Sequence, residues 1–255
     1  MPDDSEMRAL PALLLARVRE VLGDNLVGFY VVGSLVTGDF DARSSDVDLI
    51  AVTAADLDDA EYQRLAQMHA DIVRDQPELH DRIEIIYISA ARLKGDQSHY
   101  DIVITSPGEP FHVRPIRHDE WTINWYVLRE KSVVLFGLDP RTLVAPIAQA
   151  EIIRVVRALA RQTPGWLTPS ASLGYQGYVI LTLCRSLRLV RTSEFVSKPQ
   201  AASWAAALFP EWAELIHKTL EWRVVEREDS GDDPAAVFPE TLRLIHALVE
   251  QIERP

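Results

Sequence analysis

The spacing of apolar residues changes character several times along this chain. From Leu10 to Leu22 it follows a helical period, with Gly23 placed to end the helix. The pattern then shortens. Phe29-Tyr30-Val31-Val32 and Leu49-Ile50-Ala51-Val52 are apolar, β-branched runs joined by a Gly/Ser/Asp-rich connection, which predicts strand, turn with a short helix, and strand. Asp56 to Arg74 returns to the helical period through Tyr62, Leu65, Met68 and Ile72. Ile83 to Ile88 is an apolar strand interrupted by Glu84, and His99 to Ile104 follows it. Ser106-Pro107-Gly108-Glu109-Pro110 is a loop signal, and the stretch through His118 is read with it as loop. Glu120 to Arg129 is expected as helix and Val133 to Gly137 as a short strand.

Past Pro140 to Pro146 everything takes the helical period. Ile147 to Ala160, Gly174 to Val190, Ala201 to Leu208, Glu211 to Arg223 and Glu240 to Ile252 are five expected helices. Ser197 is placed as the N-cap of the third, with Pro199 in its first turn. The acidic stretch Glu226 to Pro234 is read as a solvated connection. The expectation is an α/β domain over 1–146, of the α+β kind with a mixed sheet and flanking helices. An all-α helical bundle follows over 147–255.

The candidate chemistry sits in the first of these. Gly33-Ser34 follows the first strand, and Asp46-Val47-Asp48 opens the second. Side chains alternate along a strand, so Asp46 and Asp48 point one way while Val47 and Leu49 point into the core. Two adjacent carboxylates repel unless a cation neutralises them, and magnesium, a hard ion held by carboxylate and phosphate oxygens, suits them. Glycine at position 33 lets backbone N–H groups approach a phosphate, with the Ser34 hydroxyl beside them. Glu84 shares a face with Ile86 and Ile88, where an unpaired charge costs several kcal/mol. A base, a third metal ligand, a water-facing edge residue, and a partner for Arg82 or Arg92 all stay open for it.

Composition changes the picture less. A net charge of −12 argues against tight, sequence-independent binding to nucleic acid, which needs a basic surface. The lone Cys184 excludes an intramolecular disulfide and a cysteine-rich metal site. No apolar run is long enough for a bilayer, and the start Met1-Pro2-Asp3-Asp4-Ser5-Glu6 is acidic, so a cytoplasmic protein is expected. The seven histidines show no zinc-like spacing.

Gly-Ser, a short spacer and Asp-x-Asp in an apolar strand resemble the core of the polymerase-β-type nucleotidyltransferases. In the second half, Val134-Leu135-Phe136-Gly137-Leu138-Asp139-Pro140, Val179 to Arg185, and Phe195-Val196-Ser197-Lys198 with Ala201, Ala202 and Trp204 are similar to the streptomycin/spectinomycin aminoglycoside adenylyltransferases. That resemblance implies a magnesium-dependent enzyme moving AMP from ATP to a hydroxyl of a small acceptor. Asp46 and Asp48 would then hold metal. Gly33, Ser34, Asp46, Asp48 and Lys198 would hold the nucleotide, and Glu84 would be the base or a third metal ligand. It also implies binding of ATP and drug between the domains. Two departures put the drug in doubt: Gly174-Tyr175-Gln176-Gly177-Tyr178 lacks the acid that relatives place ahead of the bundle helix, and the segment from Ser106 to His118 lacks their Glu-Trp pair. The expected partners are ATP and a small hydroxylated acceptor, with no nucleic acid and no membrane, and a monomer. The rival readings are a nucleotidyltransferase acting on protein or RNA, and an inactive nucleotide-binding protein.

Overall fold

The computed structural model describes residues 4–42, 44–95, 99–118, 120–225 and 233–254, without the side chains of 4 and 223–225. Most of the expected acidic connection, 226–232, lies outside them. By its internal contacts the chain divides into two compact units, Met1–Ile147 and Ala148–Pro255.

In the first unit, α1 (Asp4–Leu22) precedes β1 (Leu26–Val31) and the single-turn α2 (Ser34–Thr37). Next come β2 (Val47–Thr53), α3 (Asp59–Asp75), β3 (Ile83–Ser89) and the short α4 (Ala90–Leu93). Then follow β4 (His99–Thr105), β5 (His112–Arg117), α5 (Thr122–Lys131), β6 (Val133–Gly137) and α6 (Pro140–Leu143). The strands form one sheet in the order β5-β4-β3-β2-β1-β6. Only β2 and β3 run parallel, and the crossover that parallel neighbours need is supplied by the segment containing α3. The other pairs are antiparallel, so the sheet is mixed.

Strand alternation divides the core. Phe29, Val31, Val47, Leu49, Ala51, Ile83, Ile85 and Tyr87 pack with Met7, Leu14 and Val18 of α1 and with Leu65 and Met68 of α3. Tyr30, Val32, Ile50, Val52, Ile86, Ile88, Ile102 and Ile104 face the other way, against Trp125 and Leu128 of α5. By the same alternation Asp48 and Glu84 belong to this second face, at its edge. Asp58 caps α3 by accepting from Glu61 N at 2.7 Å, and the Glu61 carboxylate accepts from Asp58 N at 3.1 Å. This reciprocal cap fixes where the crossover helix begins.

One expectation needs correction. The stretch from Ser106 to His118 was read as loop, yet His112–Arg117 is a strand paired antiparallel to β4. Pro115 within it has no N–H to donate. It is tolerated because β5 lies at the edge of the sheet, where one row of backbone groups needs no partner.

The second unit is helical. It consists of α7 (Gln149–Gln162), α8 (Leu173–Thr192), α9 (Lys198–Leu208), α10 (Ala213–Val225) and α11 (Pro234–Glu253), with short turns between them. The core forms around α8, whose Val179, Ile180, Leu181, Leu183, Cys184 and Leu187 are buried among residues of its neighbours. Gly177 lets α8 approach α10 closely, since a Cβ there would stand 3.1 Å from the Thr219 carbonyl oxygen.

Candidate active site

The candidate residues of the first unit gather where β1 ends and β2 and β3 begin. Val32 N donates to the Asp48 carbonyl at 3.0 Å, carrying the strand pairing one residue past β1. The chain then turns through Gly33, at φ 67° and ψ −147°, into α2. Glycine is required here twice over. An L-residue rarely adopts this φ, and a Cβ at position 33 would lie 1.7 Å from Asp48 Oδ2. The Gly33 main chain therefore lies directly on the Asp48 carboxylate. Ser34 opens α2, and its Oγ is buried with no hydrogen-bond partner.

Asp46 immediately precedes β2 and Asp48 lies within it, both partly exposed, while Val47 between them is fully buried. In the parallel register of β2 and β3, Asp48 stands directly beside Glu84. Glu84 is partly buried, and burial raises its pKa from 4.5 to about 7. The nearby Asp46 charge pushes the same way, because a second negative charge disfavours ionisation. Arg114 and the Ser106 hydroxyl pull it down, and Glu109 adds a smaller upward push. Arg114 bonds Glu109 at 2.7 Å, and His112 Nδ1 donates to the Pro110 carbonyl at 2.8 Å.

The structure thus brings Gly33, Ser34, Asp46, Asp48 and Glu84 into one neighbourhood. The arginines weighed as Glu84 partners are engaged elsewhere on the sheet. Arg92 grips Asp56 through Nε at 2.8 Å and Nη2 at 2.6 Å, and Arg82 donates to main-chain carbonyls of Ala42 and Ser45. Ser106 and Glu109 were missed as members of the site. Their signal was available only to a reading that recognised β5 as a strand.

Among the described residues, no three His, Cys, Asp or Glu side chains form a group able to hold a metal ion. A pair of carboxylates does stand here, with a glutamate whose ionisation one of them opposes. That donor set fits a divalent cation that draws its remaining oxygens from a phosphate ligand.

Lys198 lies in the second unit, at the first position of α9. Ser197 caps that helix, its Oγ accepting from Gln200 N at 3.3 Å, while the Gln200 side chain returns to Ser197 N. The Lys198 ammonium stands 5.0 Å from the centre of the Tyr178 ring, a cation–π distance. Tyr178 in turn stacks with Tyr175, both rings substantially exposed.

The mixed sheet, with its glycine turn packed on a strand carboxylate, is followed along the chain by a helical unit. The fold matches that of the spectinomycin adenyltransferase from Enterococcus faecialis, solved with ATP and spectinomycin. The TM-score is 0.74 at 20% identity, over 94% of this chain and 97% of that one. Residues 142–246 match the family described as "Aminoglycoside adenylyltransferase, C-terminal domain". The chain is also 26% identical over 214 residues to spectinomycin 9-adenylyltransferases of Staphylococcus aureus, covering 76% of each. The chain is thus similar to aminoglycoside adenylyltransferases in its C-terminal part and to spectinomycin 9-adenylyltransferases over 214 residues. Among the described residues no helix is long and apolar enough to cross a membrane.

Proposed function

We propose that this protein is an adenylyltransferase that moves AMP from ATP to a hydroxyl of a small aminoglycoside or aminocyclitol, releasing pyrophosphate. The observation that carries the reading is the close packing of Gly33 on the Asp48 carboxylate, with Asp46 two residues away and Glu84 in register beside it. The relatives' names support the acceptor class, and spectinomycin is the first acceptor to test.

Each residue has a part in this reading. Asp46 and Asp48 would hold magnesium, which when bound neutralises phosphate charge. The Gly33 backbone, the Ser34 hydroxyl and Lys198 hold the triphosphate, and the unpartnered Ser34 Oγ suits a phosphate oxygen. Glu84 takes the proton from the acceptor hydroxyl as that oxygen bonds to the α-phosphorus. The bond from the α-phosphorus to the bridging oxygen breaks, and pyrophosphate leaves. A base works best with a pKa near the working pH, and burial together with Asp46 brings Glu84 there. The protein is expected to act in the cytoplasm, where ATP is available, and as a monomer. Pyrophosphate release measured across aminocyclitols and aminoglycosides, with and without magnesium, tests the proposal. Release with no acceptor in the series, alongside labelling of a protein or RNA, would transfer the reading to the macromolecular rival.

A further inference from the structure

Arg82 is fully buried, and a buried guanidinium is costly unless hydrogen bonds are made to it. It immediately precedes β3, two residues before Glu84, and its side chain reaches across to the turn that leads into Asp46. Nε donates to the Ser45 carbonyl at 3.0 Å, and Nη2 donates to the Ala42 carbonyl at 2.6 Å and also to that of Ser45. The Arg82 carbonyl accepts from Val47 N at 2.8 Å, so main chain and side chain hold both ends of the same short segment. The turn is closed on itself as well. Ser44 N and Ser45 N donate to the Asp41 carbonyl at 3.0 and 2.7 Å, and Asp41 N donates to Ser45 Oγ at 3.0 Å.

A carboxylate that binds metal must be held in place, and Asp46 lies outside the strand ladder that holds Asp48. Ordering a backbone residue costs about 1–2 kcal/mol, which some fixed contact must offset. Charge-assisted bonds to carbonyls are among the stronger available, and a planar guanidinium spans two carbonyls as a lysine cannot. We propose that Arg82 is a positioning residue for the metal–nucleotide site: it clamps Ala42 and Ser45 to β3 through their carbonyls and thereby fixes Asp46 beside Asp48. This rests on the adenylyltransferase reading above.

The test uses the full chain with Arg82→Met, Arg82→Lys and Ser45→Ala. Two readouts are taken: amide hydrogen exchange at Asp41, Ser44 and Ser45, and calorimetric affinity for ATP with magnesium and with metal removed. In Arg82→Met the three amides should exchange tenfold or more faster, while amides of α9 stay unchanged. The tightening of ATP binding by magnesium should shrink at least tenfold, with metal-free ATP affinity within twofold of wild type. Arg82→Lys should recover part of both losses. Ser45→Ala keeps the buried charge but loosens the turn, so it should move both readouts in the same direction by less. Unchanged exchange and unchanged magnesium dependence in Arg82→Met would overturn the proposal. If that variant does not fold, the same result in Arg82→Lys and Ser45→Ala overturns it instead. A wild-type protein whose ATP binding ignores magnesium would sink the functional reading itself, a result distinct from a failure confined to the variants.

Discussion

A carboxylate earns a chemical role through its surroundings, and Glu84 shows how. Its pKa of about 7 comes first from burial and then from Asp46, so both neutral and ionised forms are accessible near neutral pH. If it is the base, Glu84→Gln should keep its affinity for magnesium–ATP, while turnover falls about 10²–10⁴-fold. Loss of nucleotide binding in that variant would make Glu84 a metal ligand. Asp46→Asn or Asp48→Asn should reduce turnover by orders of magnitude while leaving the melting temperature equal or higher, since like charges are relieved. Near-normal turnover would remove that residue from the site. The pKa shift also predicts a pH dependence of stability in metal-free protein. The folded state holds the Glu84 proton more tightly than the unfolded chain, whose glutamate titrates near 4.5. The contribution is complete below about pH 4.5 and is lost as pH climbs through about 7. The loss is on the order of 2 kcal/mol, reduced from the full linkage value because the side chain is partly solvated. Denaturant melts of wild type and Glu84→Gln from pH 5 to 8 should show the variant with the flatter profile. Parallel profiles would mean that Glu84 titrates alike in both states.

Elements followed the chain's periodicity wherever the pattern was long. The helices at 59–75, 149–162 and 173–192 and the strands at 47–53 and 83–89 fall close to where apolar spacing places them. Capping set the ends, as the N-cap expected at Ser197 shows. Thus α9 begins at Lys198, three residues before its first buried alanine, because Ser197 and Gln200 close a reciprocal cap. Ser197→Ala should therefore cost about 1 kcal/mol of stability, read by chemical denaturation. No measurable cost would show that packing alone starts the helix. The missed strand, β5, has the opposite cause. His112-Val113-Arg114-Pro115-Ile116-Arg117 buries only Ile116, so no apolar alternation marks it. Pairing with β4 makes it a strand.

At the scale of the molecule, the residues proposed to touch the nucleotide lie far apart in the chain. Gly33, Asp46, Asp48 and Glu84 are assembled by one sheet, whereas Lys198 belongs to the helical unit. If Lys198 contacts the triphosphate, Lys198→Ala should weaken ATP binding by about 1.5–3 kcal/mol, the worth of one charge-assisted contact. It should also weaken acceptor binding when magnesium–ATP is present and leave it unchanged when the nucleotide is absent. Calorimetric titrations of both ligands read each effect. Unaltered ATP affinity would leave Lys198 with its packing against Tyr178 and no part in catalysis.

The sequence by itself determined the long helices and the strands other than β5, the division of character near Pro140, and the glycine turn and aspartate pair. Each of these is set by neighbours within a turn or two of backbone, through periodicity, φ preference and alternation. Tertiary structure decided the rest. It set the parallel register that places Asp48 beside Glu84 and the approach of Gly33 to the Asp48 carboxylate. It also made β5 a strand and gave Arg82 its carbonyl partners. Register, burial and close approach depend on which strand lies alongside which, and no local pattern carries that information.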